Sequence, residues 1–419
     1  MAQVSENDIN TFLNDSAVRT GHAGISIYEP TTGKYLYNYN ADKNFIPSSN
    51  LKLFTLYAGM KYLGDSLVGM RFTEDGSNIY ITPTGDPTLL HANFKSQPVF
   101  EFLASSQKKI FYDPLPFLSN SYGEGWAWDD YPEDFMAERS VLPVYGNVKT
   151  FSFKERGMSI IPGKVAEDSL RLHEMNNVIG WGSNHVKRNF YSNNFNITQR
   201  YGFKQVDTIK VPFITSEELS YKLLADTLHK EIINSGYNHK LNLPKHIIFS
   251  RSVDSLFKPM MFNSDNFFAE QTLLMVSNER LGFMMDKQII DSFLKNNLKD
   301  IPNKPRWVDG SGLSRYNLFS PKDFVYILDK LQKEFGIERM KRILPTGGQG
   351  TLANYYEKEA GYIYAKTGSM SNNVSLSGYL FTRKNKMLLF SVLINNYTGS
   401  GREGRRAIEK FIQQIRETN

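Results

Sequence analysis

The chain has 419 residues, 41% of them hydrophobic, with a formal net charge of +6 and no cysteine. That length and apolar content suffice for two or more domains and exclude a disordered chain, while the missing thiols exclude a disulfide framework, thiolate catalysis and a cysteine-ligated zinc site. The basic residues are scattered rather than blocked, which argues against a nucleic-acid partner, and no run of 18 apolar residues exists to span a bilayer.

In chain order, the first eight residues carry neither a basic nor an apolar signal region, as expected of a mature chain given a new start methionine. Residues 5–15 read as a helix. Residues 24–28 and 34–39 then read as a hairpin around Pro30-Thr31-Thr32-Gly33. Pro47-Ser48-Ser49 breaks the chain ahead of Leu51, Leu53, Phe54, Leu56, Tyr57 and Met60, an apolar set predicting a mostly buried helix with Ser49 at its N-terminus. Lys52 then lies one turn on, on the face of the Ser49 hydroxyl. A serine hydroxyl needs an adjacent base, and a lysine serves only where its surroundings favour the neutral amine. The same four residues also suit a serine cap with a surface lysine, and Ser-x-x-Lys recurs at Ser105, Ser106, Ser255 and Ser292.

Residues 71–245 mix strand and turn signals with Pro and Gly punctuation and are expected to form an inserted accessory region. It would be flanked by a catalytic unit made of residues 1–70 and 246–419. Within it, residues 189–196 are rich in asparagine and read as an exposed loop or a lip over a groove, and residues 216–235 as a helix. The seven histidines are dispersed, so no metal site is expected. Ser264-Asp265-Asn266 opens another helix-like apolar pattern, placing a hydroxyl suited to proton relay and an amide suited to holding a substrate carbonyl at one turn; a plain helix cap reads the same way.

Residues 361–370 alternate as a strand, with Tyr362, Tyr364 and Lys366 on one face. Lys366 is expected to face a cleft, and Gly368 to let an extended substrate add itself as a strand, its carboxylate near Lys366 and the Thr367 or Ser369 hydroxyls. The backbone N–H groups of Ser49 and Ser369 are the candidate oxyanion hole. Residues 379–382 and 387–394 read as a closing hairpin and 402–416 as an amphipathic helix, with Arg402, Arg405 and Arg406 at its solvated start. Five strands from both chain ends imply an α+β architecture: an antiparallel five-stranded sheet flanked by helices, with a helical subdomain and a large insertion.

Ser49-x-x-Lys52, Ser264-x-Asn266 and Lys366-Thr367-Gly368 stand in the order used by penicillin-interacting serine enzymes. With Gly85-Asp86-Pro87-Thr88-Leu89, Gly125-Trp126-Ala127-Trp128-Asp129-Asp130, Asp309-Gly310-Ser311-Gly312-Leu313-Ser314-Arg315-Tyr316-Asn317, Leu344-Pro345 and Gly350-Thr351-Leu352, the chain resembles the class C low-molecular-mass penicillin-binding proteins, D-alanyl-D-alanine carboxypeptidases and endopeptidases of the DacB type. The resemblance implies a transpeptidase-like fold, peptidoglycan stem peptides as substrate, β-lactams as inhibitors, no cofactor, and a periplasmic or cell-envelope location. It implies Ser49 as acylated nucleophile, Lys52 as general base, Ser264 and Asn266 as relay and substrate holder, and Lys366, Thr367 and Gly368 as the carboxylate-recognition strand. The 309–317 marker is expected to be architectural. A peptidoglycan-binding module without turnover, or a β-lactamase or esterase on the same fold, is the alternative.

Overall fold

A computed structural model describes residues 5–154, 157–163, 170–174, 184–199, 207–236 and 243–419. Both chain ends feed one antiparallel five-stranded sheet. Its order is Ile363–Met370, Asn373–Phe381, Met387–Asn395, His22–Glu29 and Lys34–Tyr39, as the two hairpins and the lysine-bearing strand predicted. The Gly401–Thr418 helix covers one face: Ile408, Phe411, Ile412 and Ile415 bury against Ile25, Ile27, Val374, Leu376 and Val392, with Phe12 of the Glu6–Leu13 helix stacked on Phe411 at 4.7 Å.

The opposite face carries the helical layer. In the Lys52–Tyr62 helix every residue from Lys52 to Met60 is buried, and the Asn266–Leu281 helix is buried from Phe267 to Asn278. The two approach so closely at Gly59 that a Cβ there would stand 2.9 Å from Thr272, and also 2.7 Å from Phe257 of the adjacent Asp254–Phe262 helix. Such helices, buried all round, are stable only inside a core, and Phe54 supplies the junction, with Phe319, Trp307 and Phe324 all within 5.8 Å.

A second five-stranded sheet runs Ile232–Asn234, Lys109–Tyr112, Asn78–Pro83, Ser66–Glu74 and His246–Ser252. Its outer antiparallel pair joins the residues where the chain leaves the helical layer to those where it returns. Two three-stranded sheets follow farther along the excursion. The helix read over 216–235 is shorter. Glu217–Leu228 ends at His229 in the left-handed region, and Ile232–Asn234 pairs in parallel with Lys109–Tyr112. Lys230 fixes this exit by donating to the carbonyls of Leu103, Ala104 and Ser106.

His91 is packed between Phe94 and Phe268, and burial drives its pKa down to about 4, while His239 lies outside the described residues. Among the described residues no group of three metal-ligating side chains is assembled, and no helix is long and apolar enough to cross a membrane.

Candidate active site

Ser49 belongs to a 3-10 turn, Ser48–Leu51, stacked on the first turn of the Lys52–Tyr62 helix. Strand packing holds this turn in place. Asn50 donates its side-chain amide to Ser377 Oγ at 2.8 Å, and Ser375 Oγ donates to Pro47 O at 2.9 Å. Gly368 completes the seat, because a Cβ there would lie 2.2 Å from Ser375 Oγ and 2.7 Å from Pro47 O. The missing side chain of Gly368 thus lets the strand seat the nucleophile turn, a packing role its sequence did not suggest.

Lys52 is fully buried and its Nζ has three oxygen neighbours: Ser49 Oγ at 2.9 Å, Asn266 Oδ1 at 2.7 Å and Ser311 O at 2.8 Å. An amide oxygen and a peptide carbonyl only accept, so they tie up two N–H bonds whatever the charge on nitrogen. Ser49 Oγ alone of the three can donate as well as accept, so in the neutral amine the lone pair is aimed at the serine. Burial lowers the Lys52 pKa to about 8, opposed by the negative charges of Asp309, Asp265 and Glu270.

The 309–317 segment is the frame of this arrangement. Asp309 accepts from the backbone N–H of Gly312 and Ser314, from the Asn317 amide and from Trp126 Nε1, all within 2.9 Å. Gly312, at φ +82°, lies against the nucleophile turn so tightly that a Cβ would stand 2.0 Å from Ser48 O. Thr55 Oγ1 donates to Gly310 O at 2.6 Å, so the segment is pinned to the nucleophile helix on both sides of Ser311. The marker is architectural as expected, yet one of its carbonyls orients the lysine.

Ser264, at φ +59°, precedes Asp265, whose carboxylate caps the Asn266–Leu281 helix through Phe268 N–H at 2.9 Å. Asn266 turns its oxygen to Lys52 and donates Nδ2 to Phe135 O at 3.0 Å. The Ser264 hydroxyl is bonded to Lys366 Nζ at 2.9 Å.

Lys366 does not open on a cleft. It is fully buried and also donates to Thr367 O at 2.7 Å, and burial with the nearby charges of Lys52 and Arg405 holds its pKa well below the ordinary lysine value. The two-residue period puts Lys366 and Gly368 on the face toward the nucleophile, opposite Ser377 and Ser375, and puts Thr367 and Ser369 on the face under the C-terminal helix. There Arg405 donates to Ser369 Oγ at 2.8 Å. Arg405 is therefore held on the reactive strand while remaining partly exposed, a contact its sequence did not suggest. Ile363–Met370 is an edge strand, so its free edge borders both faces.

The open space in front of these groups is a cleft of about 320 Å³ lined by Ser49, Ser264, Asn266, Gly312, Leu313 and Ser369, together with Asp130, Phe135, Arg315, Met370 and Ser371. Behind it lies a buried ion network. Glu270 accepts from Ser311 N–H at 2.7 Å, and Arg139 reaches Glu270 at 3.3 Å and Asp286 at 2.5 Å while donating to the carbonyls of Asn120 and Tyr122. Sequence reasoning missed Ser311, Glu270, Arg139 and Arg405. No local pattern marks a residue that acts through a carbonyl or through a neighbour's charge.

Among curated relatives, the D-alanyl-D-alanine carboxypeptidase of Actinomadura sp. (strain R39) is 24% identical over 94% of this chain and 81% of its own length. DacB, the D-alanyl-D-alanine carboxypeptidase of Haemophilus influenzae, is 24% identical over 98% and 92%. The crystal structure of the H. influenzae penicillin-binding protein 4 superposes with a TM-score of 0.76 at 19% identity, covering 98% of both chains. The penicillin G-acylated form of Bd3459, a predatory endopeptidase of Bdellovibrio bacteriovorus, superposes at 0.51 and 14% identity over 94% and 92%. Residues 5–192 and 240–416 match the D-Ala-D-Ala carboxypeptidase 3 (S13) family, and the chain belongs to that family.

Proposed function

We propose that this chain is a serine D-alanyl-D-alanine carboxypeptidase and endopeptidase of the cell envelope. It hydrolyses D-Ala-D-Ala termini and D-Ala cross-links of peptidoglycan stem peptides through acyl-Ser49, and β-lactams acylate the same oxygen. The observation that carries this reading is the Lys52 amine, buried, depressed to about 8, and tied by two pure acceptors so that its remaining position meets Ser49 Oγ at 2.9 Å.

Ser49 Oγ attacks the penultimate D-Ala carbonyl carbon as its proton passes to Lys52 Nζ. The oxyanion lies between the backbone N–H groups of Ser49 and Ser369. Collapse breaks the C–N bond, and the leaving amine takes the proton of Ser264 Oγ, which Lys366 Nζ, 2.9 Å away, replaces with its own. Water then attacks the acyl carbon and passes one proton through Ser264 Oγ back to Lys366 Nζ, while Lys52 Nζ returns its proton to Ser49 Oγ as the acyl C–O bond breaks and the shortened peptide leaves. The terminal carboxylate lies along the free edge of the Lys366-Thr367-Gly368-Ser369 strand, within the field of Lys366 and Arg405, and the second amide hydrogen of Asn266 serves the substrate carbonyl. Residues 1–70 with 246–419 form the catalytic unit in this reading, and 71–245 the accessory region.

Intact-mass spectrometry after benzylpenicillin, alongside D-alanine release from a D-Ala-D-Ala pentapeptide, tests it. A single penicilloyl adduct and D-alanine release are expected of the wild type and neither of Ser49→Ala. An adduct that persists in Ser49→Ala, or a wild type inert to both reagents, would remove Ser49 from the mechanism.

A further inference from the structure

Beyond the cleft, its Asp130 wall continues outward into a group of exposed aromatic rings. Trp128 shares a 3-10 turn with Asp130 and is 72% exposed. Its ring meets Phe190 at 6.2 Å, and Phe190 in turn meets Tyr131 at 4.8 Å and Tyr191, 87% exposed, at 4.8 Å. All three contacts are edge-to-face, and Trp128, Phe190 and Tyr191 all remain exposed.

This group is built, not draped. Phe190 and Tyr191 sit on the turn between the His185–Arg188 and Phe195–Gln199 strands. The turn is closed by Asn189 N–H to Asn194 O at 2.8 Å and Tyr191 N–H to Asn189 Oδ1 at 2.9 Å, and Asn193 bonds both backbone groups of Ile214. Beneath it Arg188, 1% exposed, donates to the carbonyls of Pro212, Asn189 and Phe190 and lies 5.3 Å from the Tyr131 ring centre. A buried guanidinium that spends its donors on holding aromatic rings in the open points to a pre-organised contact surface. The residues read as a lip or loop in the sequence form that surface.

We propose that Trp128, Phe190 and Tyr191 form a platform on which the N-acetylated pyranose rings of the glycan strand stack while the stem peptide occupies the cleft. This rests on the DD-peptidase reading. The flat apolar C–H face of a pyranose matches an uncharged ring face, and the amide and hydroxyl groups of Asn189 and Tyr191 at its rim suit sugar hydroxyls. A five-residue stem spans at most ~17 Å, so a peptide whose terminus is at Ser49 holds its sugar within that distance of the nucleophile.

The probe is a soluble peptide-free glycan oligomer from peptidoglycan, titrated by calorimetry into the Ser49→Ala protein with and without Trp128→Ala and Tyr191→Ala. Saturable binding that weakens about tenfold or more in the aromatic variants is expected, with benzylpenicillin acylation of the Ser49-bearing aromatic variants unchanged. Absence of binding, or equal binding by the variants, overturns the platform. Tyr191→Ala alone, at the most exposed ring, provides the same test should the double change disturb folding. The titration needs no turnover. Glycan binding that fails while D-alanine release persists sinks this inference alone, and intact glycan binding without D-alanine release sinks the catalytic reading instead.

Discussion

Lys52 concentrates the chemistry of the site in one proton. Desolvation favours the neutral amine, while Asp309, Asp265 and Glu270 pull the other way, and the balance leaves it near pH 8. The base form is the deprotonated one, so acylation by benzylpenicillin is expected to rise about tenfold per pH unit below 8 and to level off above it. Lys52→Arg keeps charge at all accessible pH values and has no lone pair to offer, so its acylation rate should fall about 10²- to 10⁴-fold and lose this rise. A wild-type profile flat between pH 6 and 9 would remove Lys52 as the base. Stopped-flow or time-resolved mass measurements of the acylation rate across that range provide the check.

At the scale of elements, the nucleophile turn is gripped between a strand and a loop, and both grips depend on glycine. Gly368 lets the edge strand touch Pro47 and Ser375, and Gly312 lets the 309–317 segment touch Ser48. In Gly368→Ala the added carbon meets a hydroxyl at 2.2 Å and a backbone oxygen at 2.7 Å, so strand and turn must separate. The expected cost is about 1–3 kcal/mol in stability, read by denaturant unfolding. Acylation should fall more steeply than stability implies, since Ser49 moves relative to Lys52. Unchanged acylation would show that the contact is slack.

Across the whole molecule, the excursion between the two halves of the helical layer is tied back to the site through buried polar contacts. Gln271, on the Asn266–Leu281 helix, donates to Gly85 O and Ser140 O and accepts from Ser140 N–H. Arg139 links the excursion to Glu270 and Asp286, and Glu270 in turn holds the peptide whose carbonyl orients Lys52. Burial and Asp309 push the Glu270 pKa up to about 7, against the opposing pull of Arg139 and the Ser311 hydrogen bond, so the guanidinium favours the charged carboxylate. Arg139→Met leaves two carboxylates without their cation and is expected to destabilise the protein by about 3–5 kcal/mol in chemical denaturation, with a lower acylation rate in the surviving folded fraction. Denaturation at the wild-type midpoint would mean that the network adds no stability.

The order of the three motifs, the strands at both ends and the buried run after Ser49 were legible because each is a local pattern: a period of two, an apolar run, a chain break before a helix. The Ser-x-x-Lys pattern occurs five times in sequence, and only its context favoured the Ser49 copy. Folding separated them, since Lys52 is fully buried whereas Lys109, Lys258 and Lys295 are exposed and Lys108 pairs with Glu74. The same limit hid the burial of Lys366, the packing role of Gly368 and the part played by Ser311, Glu270 and Arg139. Local sequence determined which chemical groups the chain carries and which elements bear them. A lysine's protonation depends on how much water, charge and hydrogen-bonding oxygen surrounds it, and those neighbours come from residues 214 and 259 positions away, which only the tertiary structure brings together.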